Sequence, residues 1–250
     1  KYLTAIKMKI IINEDEFTKN ELDSWKRKRV GKVLKNLKVT LPIVKDTDEL
    51  CDRLTLIKLK MSYEEITSSM MLKLIIGQVG MKAATILSGN KRRTAITTIF
   101  ADGITAEKFN IIIDSLMLED SLEYRKVNLA TCSDYYVLRV FDENLEVIET
   151  TGNTPVPTQF FITFNDETGL KEPRNLNYPY QSTGIAKLKD GTIVGGVRHQ
   201  FRDTRSGIEV RALVEFPNLC PKMIIKEHQK HLAAEWSNWI DWAIKHQSQF

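Results

Sequence analysis

Cysteine is scarce in this sequence, and the few cysteines form no recognisable pattern. Cys51, Cys132 and Cys220 are the three cysteines among 250 residues, and no CxxC pair or metal-ligand spacing connects them. A small disulfide-stabilised scaffold needs an even, closely spaced set, and a structural zinc site needs paired ligands, so both classes are excluded. We therefore expect free thiols in a reducing compartment, cytoplasmic or otherwise intracellular.

Long hydrophobic runs and catalytic signatures are also missing. No apolar run approaches the roughly 18 residues that cross a bilayer, so the sequence predicts no membrane span. The GxSxG motif is absent, and no Cys/His pair suggests nucleophilic chemistry. Gly77, Gly80 and Lys82 are spaced wrongly for a phosphate-binding P-loop. We therefore expect no bound cofactor and no metal, and a non-enzymatic protein is favoured.

Neither sign of charge dominates the chain. Lysine and arginine number 36 against 32 aspartates and glutamates, which gives a formal charge of +4. An excess this small does not identify a nucleic-acid-binding protein unless the basic residues cluster locally. Apolar residues, in contrast, make up 42 % of the chain, which is ample for a packed core.

Helical signals dominate the first 130 residues. The segment from Tyr2 to Ile12 alone is typical of a strand. Thr18 and Glu21 form a capping box, which predicts a helix over about 19–38. Further helices are expected to begin at Asp46 or Thr47, at Ser62, and at Thr105, the last extending to about Ala130.

The period of the apolar residues changes to two after residue 130, which predicts antiparallel strands. The turn residues Asp142 to Asn144 pair Val140 with Leu145 in a first hairpin. Asp190-Gly191 is a strong signal for a second hairpin. Between the two hairpins, 165–183 is predicted to be an irregular loop of the length often used for binding.

A third hairpin is predicted around the loop from Asp203 to Ser206. The apolar pattern selects a register in which His199 points to the inner face of the sheet. The same register sets Arg198 directly across from Arg211 on the outer face. Like charges in this position repel unless an anion or a diagonal carboxylate such as Glu209 relieves them.

The last helix is predicted from about Met223 to Gln247. Trp236, Trp239 and Ile240 mark its buried face, while Trp242 lies off that stripe and is a candidate contact to another subunit. The predicted fold is therefore α+β, with a mostly helical N-terminal half, an antiparallel β-meander in the C-terminal half and a closing amphipathic C-terminal helix. The regions are 1–130, 131–217 and 218–250, with one domain overall as an alternative.

Three groups of basic residues are candidates for contacts to a nucleic-acid backbone. The first group follows Trp25 on the first helix. The second group lies within and after the segment 75–87, which contains two glycines, and the third lies on the outer face of the meander. They are Lys26, Arg27, Lys28 and Arg29; Lys82, Lys91, Arg92 and Arg93; and Lys187, Lys189, Arg198, Arg202 and Arg211. The alternative is a solvated surface with internal ion pairs, which are common and individually weak.

The segment "IIGQVGMKAATIL" contains two glycines between helical residues. Through Val79, Gly80, Ala84 and Leu87 it resembles the hairpin of helix-hairpin-helix DNA-binding elements, in which glycine amides at a helix N-terminus bind a phosphate. It departs from that family at Gly77 and Gln78. Gly77 and Gly80 also resemble the GxxG loop of KH domains. The alternative is a glycine-softened junction between two helices.

Two acidic patterns suggest other chemistry. Glu227, His231 and Glu235 share one face of the last helix and are candidates for a metal-assisted hydrolase. Asp166 with the "EVR" segment from Glu209 to Arg211 weakly resembles a nuclease signature. The favoured alternative for the first pattern is polar surface opposite the tryptophans.

The sequence thus predicts a protein that binds nucleic-acid backbone, RNA or DNA, and that assembles with copies of itself, as structural proteins of viruses and phages do. The basic groups, the glycine segment and the missing catalytic constellation motivate this hypothesis. The alternatives are a structural or partner-binding protein without nucleic acid and the metal-assisted hydrolase or nuclease.

Overall fold

The computed structural model describes residues 7–41 and 43–250. The helices are α1 (Lys19–Leu37), α2 (Thr47–Lys60), α3 (Tyr63–Ser69), α4 (Met71–Ser88), α5 (Ala106–Leu118), α6 (Leu122–Thr131) and α7 (Lys222–His246). The strands are β1 (Met8–Ile12), β2 (Asp15–Glu16), β3 (Arg92–Asp102), β4 (Tyr135–Phe141), β5 (Asn144–Glu149), β6 (Thr158–Phe164), β7 (Tyr180–Lys187), β8 (Ile193–Asp203) and β9 (Gly207–Pro217). The predicted α+β class is confirmed.

All nine strands form one antiparallel sheet in the order β2-β1-β3-β9-β8-β7-β6-β5-β4. The described part of the first 130 residues therefore contributes three strands, and the helical prediction for that half missed β2 and β3. In β3 the inward positions are held by Ile99 and by the smaller Ala95, Thr97 and Ala101, while Ile96 and Phe100 face outward. Small inward residues opposite large outward ones leave little alternation in hydrophobicity, so the period of two is hard to see. Part of the strand predicted from Tyr2 to Ile12 lies outside the described residues.

Helix α7 packs lengthwise on the inner face of the sheet. Trp236, Trp239 and Ile240 are buried there, as predicted. The apolar residues of the meander also face this core, which includes Val194, Phe201, Ile208, Val210 and Ala212. Hydrophobic burial of this kind is the main source of stability, at roughly 25 cal/mol per Å² of apolar surface removed from water.

The register of the first hairpin was predicted correctly, and that of the third hairpin was not. Val140 pairs with Leu145 as expected. In the third hairpin Phe201 pairs with Val210, a register two residues from the predicted one. Arg211 therefore faces Gln200 rather than Arg198, and the expected repulsion between the two arginines does not arise. A shift of two keeps every side chain on its face, which is why the inner face was still correct.

Two layers cover the outer face of the sheet. Helices α1 to α3 form a second core against Tyr136, Val137 and Ile148 of β4 and β5. The loop 165–179 covers β8 and β9, where the Glu215 side chain accepts hydrogen bonds from the backbone of Lys171 and Glu172. The loop predicted over 165–183 is shorter in the structure, because β7 begins at Tyr180.

The glycine segment is not a hairpin. Gly77 and Gly80 both lie inside the continuous helix α4, so the resemblance to helix-hairpin-helix and KH elements does not describe the fold of this segment. Gly77 is required by packing instead, since a Cβ there would lie 2.2 Å from the backbone oxygen of Pro157. Gln78 continues this contact by donating a hydrogen bond to the backbone oxygen of Gln159.

Candidate functional site

An internal cavity lies between the inner face of the sheet and helix α7. The cavity has a volume of about 90 Å³, and the empty space reaches about 850 Å³ when the part that opens to solvent is counted. Its apolar wall is formed by Met81, Ile113, Met117, Leu138, Leu145, Val147, Phe160, Ile162, Phe164, Ala186, Val194, Val197, Val214, Phe216 and Trp239. Concave, largely apolar spaces with a few polar groups on the wall are typical of small-molecule sites.

The local sequence explains why space remains between the sheet and the helix. Inner positions of β7 and β8 hold the small side chains Ser182, Ala186 and Val194, rather than long apolar ones. Opposite them, α7 presents His228 and Glu235 to the cavity. Since protein interiors are otherwise close-packed, a space of this size is a specific feature of this part of the fold.

Three side-chain polar atoms of residues on the cavity wall have no hydrogen-bond partner among the described residues. They are Nε1 of Trp236, Nδ1 of His228 and Oε2 of Glu215, and all three are fully shielded in side chains that are buried. Buried donors and acceptors are normally paired, because leaving one unpaired costs about 1–3 kcal/mol. The cavity therefore offers unmet hydrogen-bonding capacity on a mostly apolar surface.

His199 is a further polar group of the wall and lies beside Trp236, with 4.5 Å between the ring centres. Its Nδ1 accepts a hydrogen bond of 3.2 Å from the backbone nitrogen of Leu213. Burial lowers the pKa of His199 to about 3, so the ring is neutral near pH 7. A neutral ring that accepts at Nδ1 carries its proton on Nε2. The predicted inward orientation of His199 is confirmed.

A network of ionisable side chains lies beside the cavity. Arg29 Nε is 2.6 Å from Asp134 Oδ1, and His231 Nδ1 is 3.3 Å from Asp134 Oδ2. On its other side, His231 Nε2 lies 3.6 Å from Glu149 Oε2 and 3.8 Å from Glu235 Oε2. Glu149 and Glu235 line the cavity, so the network extends from α1 to the cavity wall.

The pKa values in this network are shifted by burial and by neighbouring charge. Burial raises the pKa of Glu235 to about 7, and the carboxyl accepts a hydrogen bond of 2.6 Å from Tyr135 Oη. Burial alone would lower the pKa of His231, but the acidic groups of Cys132, Glu149 and Asp134 raise it well above its ordinary value. Burial raises the pKa of the Cys132 thiol, so the thiol is uncharged near neutral pH. The raised pKa of His231 is therefore due to the carboxylates of Glu149 and Asp134.

The same region contains one group with metal-ligating atoms among the described residues. Atoms of Cys132, Asp134 and His231 lie within 4.8 Å of one another. The Arg29 guanidinium already neutralises Asp134, and a second cation there would be repelled. Glu227, from the predicted helical triad, accepts hydrogen bonds from Trp25 and Lys230 instead. The geometry therefore favours an ion-pair network over a metal centre.

No protein-family model and no curated protein matches this chain. The geometry of the cavity is therefore the basis on which a function is inferred.

The structure places the predicted basic residues in several environments. Of the basic side chains proposed to contact nucleic acid, six lie within ion-pair distance of a carboxylate: Lys26, Arg29, Lys82, Arg198, Arg202 and Arg211. Arg198 is buried under the 165–179 loop, and its Nη2 lies 2.8 Å from Glu167. These carboxylates compete with phosphate for the same side chains. Nucleic-acid binding stays a prediction of the sequence.

The segment "WKRKR", Trp25 to Arg29, does not form an exposed face of α1. Trp25 and Arg29 are both buried, and Trp25 Nε1 donates a hydrogen bond to Glu227. Trp25 therefore cannot stack on a nucleic-acid base. In this segment Lys28 is the exposed residue, while Lys26 and Arg27 are half-buried.

The sequence interpretation missed most polar residues of the cavity. Tyr135, Glu149 and His228 come from distant segments, and no motif connects them. A signal was nevertheless present, because Glu149 follows Leu145 and Val147 at the inward positions of β5. A charged or polar side chain at an inward position, such as Glu149 or His199, needs a hydrogen-bond or ion-pair partner and often marks a functional site.

Proposed function

We propose that the protein binds a small, largely apolar molecule with an uncharged hydrogen-bonding group in the cavity between the sheet and α7. The observation that supports this proposal is that Trp236 Nε1 and His228 Nδ1, on a mostly apolar wall, have no partner among the described residues. The apolar part of the ligand would gain affinity by leaving water, and its polar group would pair with these atoms.

The polar groups of the wall favour an alcohol or a ketone over an anion. Trp236 offers an N–H donor, and neutral His199 offers another at Nε2. Glu149 and Glu235 stand on the same wall, and a carboxylate ligand would be repelled by each of them when it is ionised. A hydroxyl group can accept from Trp236 and also donate to a nitrogen of His228.

Binding of 1-dodecanol, compared with dodecanoate, tests this proposal. Isothermal titration calorimetry at pH 8, where Glu235 is mostly ionised, is expected to give at least roughly tenfold tighter binding of the alcohol. Ala186→Phe should fill part of the cavity and weaken dodecanol binding by at least roughly tenfold. Leu122→Phe, on the exposed surface of α6, is the control and should bind like the unmodified protein.

Circular dichroism establishes that both variants are folded before binding is compared. No dodecanol binding by the unmodified protein, or an equal loss in the Ala186 and Leu122 variants, would contradict the proposal. Equal affinity for dodecanoate would contradict the uncharged class of ligand.

Glu235 favours a second candidate function, proton transfer to or from the bound molecule. A carboxyl group with a pKa of about 7, held by Tyr135 on the wall of an apolar cavity, is suited to general acid-base work near neutral pH. His231, next to Glu235 on α7, would balance the charge as the proton moves.

Deuterium exchange in 2-dodecanone tests this second candidate. In deuterated buffer the protein is expected to accelerate exchange at the carbons beside the carbonyl, with a rate that rises through about pH 7 as Glu235 becomes a base. Glu235→Gln should lower the acceleration roughly a hundredfold, within the range of general-base catalysis. Glu143→Gln, at the exposed β4–β5 turn, is the control. Exchange that Glu235→Gln leaves unchanged would exclude this role.

A further inference from the structure

Helix α4 has an apolar face that no part of the described chain covers. Its outward side chains are between 51 % and 74 % exposed: Met71, Leu72, Ile75, Ile76, Val79, Ile86 and Leu87. At 100° per residue these positions, together with Gly80 and Ala83, form one continuous half of the helix surface. Exposed apolar surfaces of this extent mark sites of interaction with a protein or a membrane.

The opposite face of α4 holds the helix on the protein. Gly77 lies against Pro157, Met81 lines the cavity, and Ser88 Oγ accepts a hydrogen bond from the backbone nitrogen of Leu219. By length and composition α4 is apolar enough to cross a bilayer, and within the described chain no other helix is. Since one face packs on the protein wall, an orientation along a membrane surface fits this helix better than a crossing.

The charge of the segment adds an independent observation. Between Glu65 and Asp102 there is no acidic residue, and the five charged residues are Lys73, Lys82, Lys91, Arg92 and Arg93. Asp190 pairs with Lys82 from the β7–β8 turn, but Lys91 is exposed. The neighbouring start of α7 adds exposed Lys222 and Lys226.

The loop beside the C-terminal end of α4 extends the apolar surface. Leu219 and Met223 are more than half exposed, and Leu219 is tied to Ser88 of α4 through its backbone. An apolar face bordered by basic side chains is the arrangement of interfacial helices, which bury apolar groups among lipid chains and attract anionic headgroups.

We infer that α4, with Leu219 and Met223, docks the protein onto an anionic lipid bilayer. A second copy of the chain fits the same face less well. Pairing of two α4 helices would bring Lys73, Lys91, Arg92 and Arg93 of each copy together, and apart from the pair of Lys82 with Asp190 the segment has no acidic partner to offset its charge. The inference does not depend on whether the cavity binds a ligand.

Sedimentation with lipid vesicles tests the docking. The unmodified protein is expected to bind vesicles of phosphatidylcholine mixed with phosphatidylserine and to bind pure phosphatidylcholine at least roughly tenfold less, because the basic border adds electrostatic attraction. Raising the salt concentration should weaken binding to the mixed vesicles. The double variant Ile75→Glu, Val79→Glu should lose at least roughly tenfold in partitioning, since both side chains would insert among the lipids.

Leu122→Glu is the control, because Leu122 is an apolar residue on α6 that lies outside this face and is more exposed than Ile75 and Val79. It should partition like the unmodified protein, and circular dichroism should show that both variants are folded. Three outcomes would overturn the inference: no binding to mixed vesicles, equal binding to both kinds of vesicle, or an equal loss in both variants. Light scattering that shows a dimer, dissociated by the double variant, would assign the face to a second copy instead.

Discussion

Replacement of Arg29 by methionine is expected to lower the free energy of unfolding by about 3–5 kcal/mol, one of the two largest effects predicted for this protein. The Arg29 side chain is 3 % exposed and Asp134 is 1 % exposed, with 2.6 Å between Nε and Oδ1. Arg29 also donates to the backbone oxygen of Thr150. Without the guanidinium, the Asp134 carboxylate would remain charged in the interior with His231 as its remaining cationic partner.

Urea unfolding at pH 7 measures this effect. The control is Arg53→Met, because Arg53 and Glu49 form an exposed pair at 2.7 Å, nearly the same distance. Exposed pairs of this kind contribute about 0–1 kcal/mol, so the control should be nearly neutral. Adding Asp134→Asn to Arg29→Met should recover part of the stability by removing the unpaired charge. Equal, small effects of the Arg29 and Arg53 variants would show that burial does not set the strength of this pair.

The second large effect is a loss of stability in acid caused by His199. Its pKa is about 3 in the folded protein and near 6.5 when the chain unfolds, because burial disfavours the charged ring. A lowered folded pKa means that the unfolded chain binds the proton first, so stability falls as the pH drops below 6.5 and levels off near pH 3. From pH 7 to pH 4 this group alone should cost about 3 kcal/mol.

Replacement of His199 by asparagine isolates that contribution. Asparagine Oδ1 can take the place of Nδ1 as the acceptor for Leu213, but it does not titrate. Between pH 7 and pH 4 the unmodified protein should lose about 3 kcal/mol more than this variant in urea unfolding. Phe201→Leu, at a buried neighbouring position of β8, should lower stability equally at both pH values. A pH dependence that His199→Asn leaves unchanged would assign the acid sensitivity to other groups, such as His228.

The sequence predicted those parts of the fold whose signal is local. The capping box at Thr18, the turn at Asp142 to Asn144 and the tryptophan stripe of α7 each lie within a few residues, and each element forms as expected. Strand β3 was missed because three of its four buried inward residues, Ala95, Thr97 and Ala101, are small or polar. The burial of Arg198 was not predicted, because the loop that covers it comes from a distant part of the chain.

The candidate site could not be predicted in the same way. A cavity forms where the side chains of two packed elements do not fill the space between them. Its size therefore depends on the distance between α7 and the sheet. Its polar groups, such as Tyr135 and Trp236, are brought together by tertiary packing. The available indication was the polarity of inward positions, at Glu149 in β5 and at His199 in β8.

The ends of the sheet limit how copies of this chain can associate. At one end β2 is two residues long, and both of them, Asp15 and Glu16, are acidic. At the other end a bulge between Tyr135 and Val137 interrupts the ladder of β4. Short, charged or bulged margins prevent strands of another molecule from adding to the ladder. Continuous β-stacking into fibres is therefore disfavoured, and any higher assembly must use side-chain surfaces instead.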